Sequence, residues 1–70
     1  MASYYANRHA RPDGCHEVHI DDDSCLHPPE LNNRDPLGWH ETCDSAVSEA
    51  KSRYAKADGC AYCTPDCHAR

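Results

Sequence analysis

The chain has 70 residues, six cysteines, six histidines, no phenylalanine and a formal net charge of −5. Leu, Ile and Val together number six (Val18, Ile20, Leu26, Leu31, Leu37, Val47), too few for a chain this short to fold on burial alone. This excludes a multidomain protein, a membrane span and a large enclosed substrate cavity, and it points to a covalent or metal staple.

Residues 1–14 show no apolar periodicity and end in Arg11-Pro12-Asp13-Gly14, a turn composition, so they read as a flexible arm in which only Tyr4 and Tyr5 dock. The start lacks the apolar core of a secretory signal. No stretch approaches the ~18 apolar residues of a membrane helix. The expectation is a cytoplasmic protein in a reducing compartment, where disulfides are rare. In Cys15-His16-Glu17-Val18-His19-Ile20, Val18 and Ile20 alternate with polar residues, which predicts a short strand with one covered face. Asp21-Asp22-Asp23-Ser24 should turn the chain, with Cys25-Leu26-His27 returning as the second strand of a hairpin. The aspartates lack the glycine and distal glutamate of a calcium loop. Pro28-Pro29 ends any ladder. Residues 28–38 then form a loop or a single helical turn anchored by Leu31 and Leu37, and Trp39 reads as a core plug.

The clearest signal covers residues 42–58. Cys43, Ala46, Val47, Ala50, Tyr54 and Ala57 fall on one face of an α-helix, with Thr42 as N-cap and Gly59 as the residue that stops it. On that face Cys43 reads as a small buried side chain.

Cys60-x2-Cys63 is the sharpest chemical feature, because two cysteines at this spacing can wrap one tetrahedral ion. A redox dithiol fits less well. Reactive pairs sit at helix N-termini, where the partial positive charge favours thiolate, and Cys60 follows a helix C-terminus. His68 follows Cys63 after four residues, so Cys60-x2-Cys63-x4-His68 resembles the first three ligands of a zinc knuckle. The fourth knuckle ligand is absent, and the resemblance does not extend to nucleic-acid binding. Cys25 is the preferred fourth ligand, with His19, Cys15 and Cys67 as alternates. The expected set is thus Cys25, Cys60, Cys63 and His68 around one zinc ion, and a second site from Cys15, His19 and Cys67 stays open.

An early ligand, a helix and a Cys-x-x-Cys turn at the helix end also resemble, in layout, the metal-binding domain of Ada-type DNA repair proteins. There, Cys15 or Cys25 would match the early ligands and Cys60 and Cys63 the late pair. The nucleophilic function of that domain is not carried over to so acidic a chain. Ala57-Asp58-Gly59-Cys60, Tyr62-Cys63 and Cys67-His68 further resemble the ending of short bacterial or phage zinc microproteins, which implies zinc binding and no activity.

The sequence therefore predicts a small α+β zinc-stabilised domain over residues 15–70: a hairpin, one helix and a Cys-rich turn. Closed four-ligand coordination leaves no position for water, so no metal catalysis is expected. The function predicted is a monomeric structural zinc module with another protein as partner. Two alternatives stay open. A nucleic-acid-binding zinc finger needs a basic face that a charge of −5 opposes, and a secreted disulfide-rich peptide has 15 connectivities for six cysteines.

Overall fold

A computed structural model describes residues 2–22, 25 and 29–69. It is a small α+β domain: strands β1 (Ala2–Asn7), β2 (His16–Ile20), β3 (Arg34–His40) and β4 (Ala57–Gly59), with helix α1 (Cys43–Arg53) between β3 and β4. The sheet order is β3-β1-β2-β4. β1 is antiparallel to both β2 and β3, and β2 is parallel to β4. Among the described residues no helix is long and apolar enough to cross a membrane.

The first correction concerns the arm. Ala2–Asn7 is a strand paired on both sides, and Tyr4, Tyr5 and Ala6 are all buried. Tyr4 and Tyr5 favour a strand, but the Ala, Ser and Asn around them do not. What holds them is position: a strand between two others buries both of its faces. The hairpin partner of β2 is accordingly β1, and Cys25 lies outside any strand. Leu26 and His27, the rest of the expected returning strand, fall outside the described residues, as do Asp23 and Ser24 of the expected turn. The turn before β2 is as expected, with Gly14 at φ 85°.

Alternation along the strands gives the sheet two different faces, since cross-strand partners share a side. Ala6 and Val18 are partners on one face, where they pack with Tyr4, Leu37, Ala57 and the helix residues Ala46 and Ala50. Tyr5 and His19 are partners on the other. β3 reaches both faces through an irregularity. Pro36 lies opposite Tyr5 and Gly38 opposite Tyr4, so Leu37 is the extra residue and turns into the core. Gly38 takes the positive φ, 85°, that this slip requires.

Trp39 follows on the far face, opposite Ser3, and is 68% exposed; it is not the core plug expected of it. Leu31, in a 3-10 turn over Leu31–Asn33, is likewise exposed, while Leu37 is the anchor predicted. Pro36 and Gly38 made β3 unreadable as a strand; as an edge strand it tolerates both.

α1 starts after Thr42 as predicted, although Thr42 makes no side-chain capping bond. It ends at Arg53, earlier than Gly59 suggests, because Tyr54 is pulled into two tertiary contacts. Its ring stacks on His16 at 3.9 Å, and its hydroxyl donates to Asp35 Oδ2 at 2.7 Å. Arg53 adds hydrogen bonds to Asp35 Oδ1 (3.0 Å) and to the Pro36 carbonyl (2.9 Å), clasping the helix end to β3. The Tyr54 hydroxyl and the Arg53 guanidinium together hold the Asp35 carboxyl below its usual range. With the helix ended, Ala57–Gly59 is free to extend and pair with β2.

Candidate metal centre

Four metal-ligating side chains meet on the far face of the sheet: His19, Cys25, Cys60 and Cys63, with their ligand atoms all within 4.8 Å of one another. This cluster could hold a metal ion. Its distances test the fit. Metal–sulfur bonds of about 2.3 Å and metal–nitrogen bonds of about 2.05 Å in a tetrahedron place sulfurs about 3.8 Å apart and a sulfur about 3.5 Å from the nitrogen. Here Cys25 Sγ is 3.6 Å from Cys60 Sγ, and His19 Nδ1 is 3.4 Å from Cys25 Sγ and 3.5 Å from Cys63 Sγ. The donor set fits a tetrahedral ion.

Each ligand has a local reason for its place. His19 sits on β2 out of phase with Val18 and Ile20, so the alternation that turns those two towards the core sends His19 to the opposite side. Its ring stacks on Tyr5 (centroids 5.4 Å, 21°), and the Arg34 guanidinium caps Tyr5 at 4.8 Å. Cys60 follows β4 directly. Its N–H donates to Thr64 Oγ1 at 2.6 Å, and the Thr64 hydroxyl donates to the Val18 carbonyl at 2.9 Å. Buried Thr64 thereby ties the Cys-x-x-Cys turn to the ligand strand, a role the sequence reading did not assign to it. The Tyr62 N–H donates to Cys60 Sγ at 3.4 Å, placing a partial positive charge where a thiolate is wanted.

The electrostatics favour a cation among these four side chains. Burial, reinforced by Arg34, lowers the His19 pKa to about 4, so the imidazole is neutral at neutral pH and Nδ1 can offer its lone pair. Burial, with Cys25 and Cys60 adding to it and a backbone hydrogen bond from Ile20 opposing it, pushes the Cys63 thiol up. Desolvated thiols packed this closely need positive charge to ionise. On the other side of the ring, His19 Nε2 is buried with no hydrogen-bond partner among the described residues, and Glu17 Oε1 stands 3.8 Å away. A metal on Nδ1 fixes the proton on Nε2, facing that carboxylate.

Three of the four expected ligands, Cys25, Cys60 and Cys63, thus stand together, and His19 joins them from among the alternates. His68 does not. Its Nδ1 is 2.9 Å from the Gly59 carbonyl and 3.5 Å from Asp58, because the chain after Cys63 folds back along β4. The fold-back is tight: a Cβ on Gly59 would lie 2.7 Å from the backbone of Cys67. The knuckle-like spacing misleads here, since it counts residues along a chain that reverses.

Cys43 and Cys67 form a disulfide joining the first residue of α1 to the 3-10 turn Pro65–Cys67. Cys43 is therefore a cross-link rather than a simple core residue, and the expectation that disulfides are rare fails at this pair. The same bond removes Cys67 from the second site considered with Cys15 and His19. Cys15 is a buried free cysteine that takes no part in the cluster. No protein-family model, curated protein or solved structure matches this chain.

Proposed function

We propose that the chain is a structural zinc module that presents a small folded surface to another protein and performs no catalysis. The observation that carries this reading is the donor set, three cysteine sulfurs and one histidine nitrogen at tetrahedral spacing. Thiolate and imidazole together select zinc over the oxygen-seeking cations, and four protein ligands leave no position for water or substrate. His19, 1% exposed, and the buried Cys25 and Cys60 sit too deep to meet a substrate.

Two exposed aromatic rings supply the surface. Tyr62 lies within the Cys60–Cys63 turn, and Trp39 lies on the sheet face that carries His19. Exposed aromatics anchored on a rigid frame are the groups that dominate protein interfaces. The net charge of −5 works against nucleic-acid backbone.

Native mass spectrometry of the intact chain tests the zinc reading. One zinc per chain is expected, lost in Cys60→Ser, together with loss of the folded circular dichroism spectrum when EDTA removes the metal. A chain that stays folded and metal-free in EDTA overturns it. Tight low-salt binding of any nucleic acid in a gel shift would overturn the assignment of a protein partner.

A further inference from the structure

A second trio of ligand atoms stands away from the zinc centre. Cys43, Asp44 and Cys67 place two sulfurs and a carboxylate oxygen within 4.8 Å of one another, and Asp44 Oδ1 is 3.4 Å from Cys67 Sγ. In the disulfide form the sulfurs are bonded to each other and offer no thiolate. We propose that reduction of Cys43–Cys67 creates a second metal site, in which the two thiolates and the Asp44 carboxylate take a thiophilic divalent cation such as zinc.

Three features support this beyond proximity. Cys43 and Asp44 are the first two residues of α1, and Thr42 leaves the first turn without a side-chain cap. The N–H groups of that turn therefore stabilise the anionic donors that ligation requires. Both cysteines are only half-buried, so a reductant can reach them. Finally, Cys43 and Asp44 line an open cleft of about 360 Å³ whose wall also carries Glu41 and Asp66, and this acidic mouth attracts cations. Cys63, a ligand of the first centre, lines the same cleft, so the two sites share one approach.

The chemistry balances with a dithiol as reductant. The dithiol transfers two electrons and two protons to the Cys43–Cys67 bond, giving two thiols and an external disulfide. The incoming cation then displaces both thiol protons to solvent, and Asp44 supplies the third donor. With three protein ligands the cation keeps a place for water, unlike the closed centre on the sheet. An external disulfide reverses the sequence: it accepts two electrons from the ligated thiolates and two protons from solvent, leaves as the dithiol, and the re-formed Cys43–Cys67 bond releases the metal.

Cobalt(II) titration of the full chain tests this, followed by the sulfur-to-metal charge-transfer bands. The oxidised protein, verified by mass to lack two hydrogens, is compared with protein reduced by a phosphine and desalted anaerobically before cobalt is added. One additional equivalent is expected on reduction. In the Cys43→Ser/Cys67→Ser variant the increment disappears, and Asp44→Asn weakens it roughly tenfold or more. Because the increment is the readout, the result is independent of the first centre. Equal stoichiometry in oxidised and reduced wild type overturns the proposal. An increment that survives in the double serine variant overturns it too, and wild-type affinity in Asp44→Asn removes Asp44 from the site.

Discussion

On the helix side of the sheet the buried groups are small: Ala6, Val18, Ala46, Ala50 and Ala57, with Tyr4 and Leu37 the largest. On the other side the buried groups are polar or ligating, with His19 and Tyr5 stacked and Cys25, Cys60 and Cys63 gathered over them. Alanines let α1 approach the strands closely but remove little apolar surface from water, at roughly 25 cal/mol per Å². Desolvated thiols and a buried imidazole are unfavourable until a cation joins them, and then they become the strongest local bond in the molecule. On the proposed zinc reading, one face specifies how the elements pack, while the other supplies the free energy that keeps them packed.

The comparison breaks first on the metal side. Stripping the metal, or changing Cys60 to Ser, should cost on the order of 10 kcal/mol and leave the chain without its sheet signal in far-ultraviolet circular dichroism. Acid should attack the same face next. The folded His19 value of about 4 lies below the ordinary 6.5, so the unfolded chain takes up this proton first. Stability contributed by His19 is therefore present above pH 6.5 and lost as the pH falls towards 4. Denaturation midpoints of the wild type, followed by circular dichroism, should fall steadily across that interval, and a flat profile between pH 6.5 and 4 would remove His19 from the balance.

On the helix side the effects should be smaller. Leu37→Ala empties the largest aliphatic position of the core and should cost about 2–3 kcal/mol by chemical denaturation of the metal-loaded protein. Tyr54→Phe keeps the stacking on His16 and loses only the bond to Asp35, for about 1 kcal/mol. If Leu37→Ala unfolds the loaded chain as thoroughly as Cys60→Ser, the division of labour between the faces is wrong.

How much of this was legible in the residues follows from range. The helix and its N-cap position are written in local periodicity, and the Cys60–Cys63 pair in local spacing. Cys25 is expected as a ligand because it opens the expected second strand of a hairpin; it joins the cluster although it lies outside any strand. β1 was invisible because its stability comes from partners on both sides, and β3 because Pro36 and Gly38 are tolerated only at an edge. His19 carried a readable signal: alternation separates it from Val18 and Ile20, which is what a ligand on the reverse face requires. His68 had the better sequence spacing, but the reversal after Cys63 depends on Gly59, Thr64 and Cys67 packing together, and no local pattern encodes that.

The parallel pairing of β2 with β4 has a consequence for how the protein is made. Val18 aligns with Gly59, and His19 shares a metal cluster with Cys63, 44 residues later. The strand that carries His19 therefore stays unpartnered on one side until Ala57–Gly59 and Cys63 have been synthesised. Long-range closure of this kind is slow. A metal ion can close this cluster only after translation has passed Cys63.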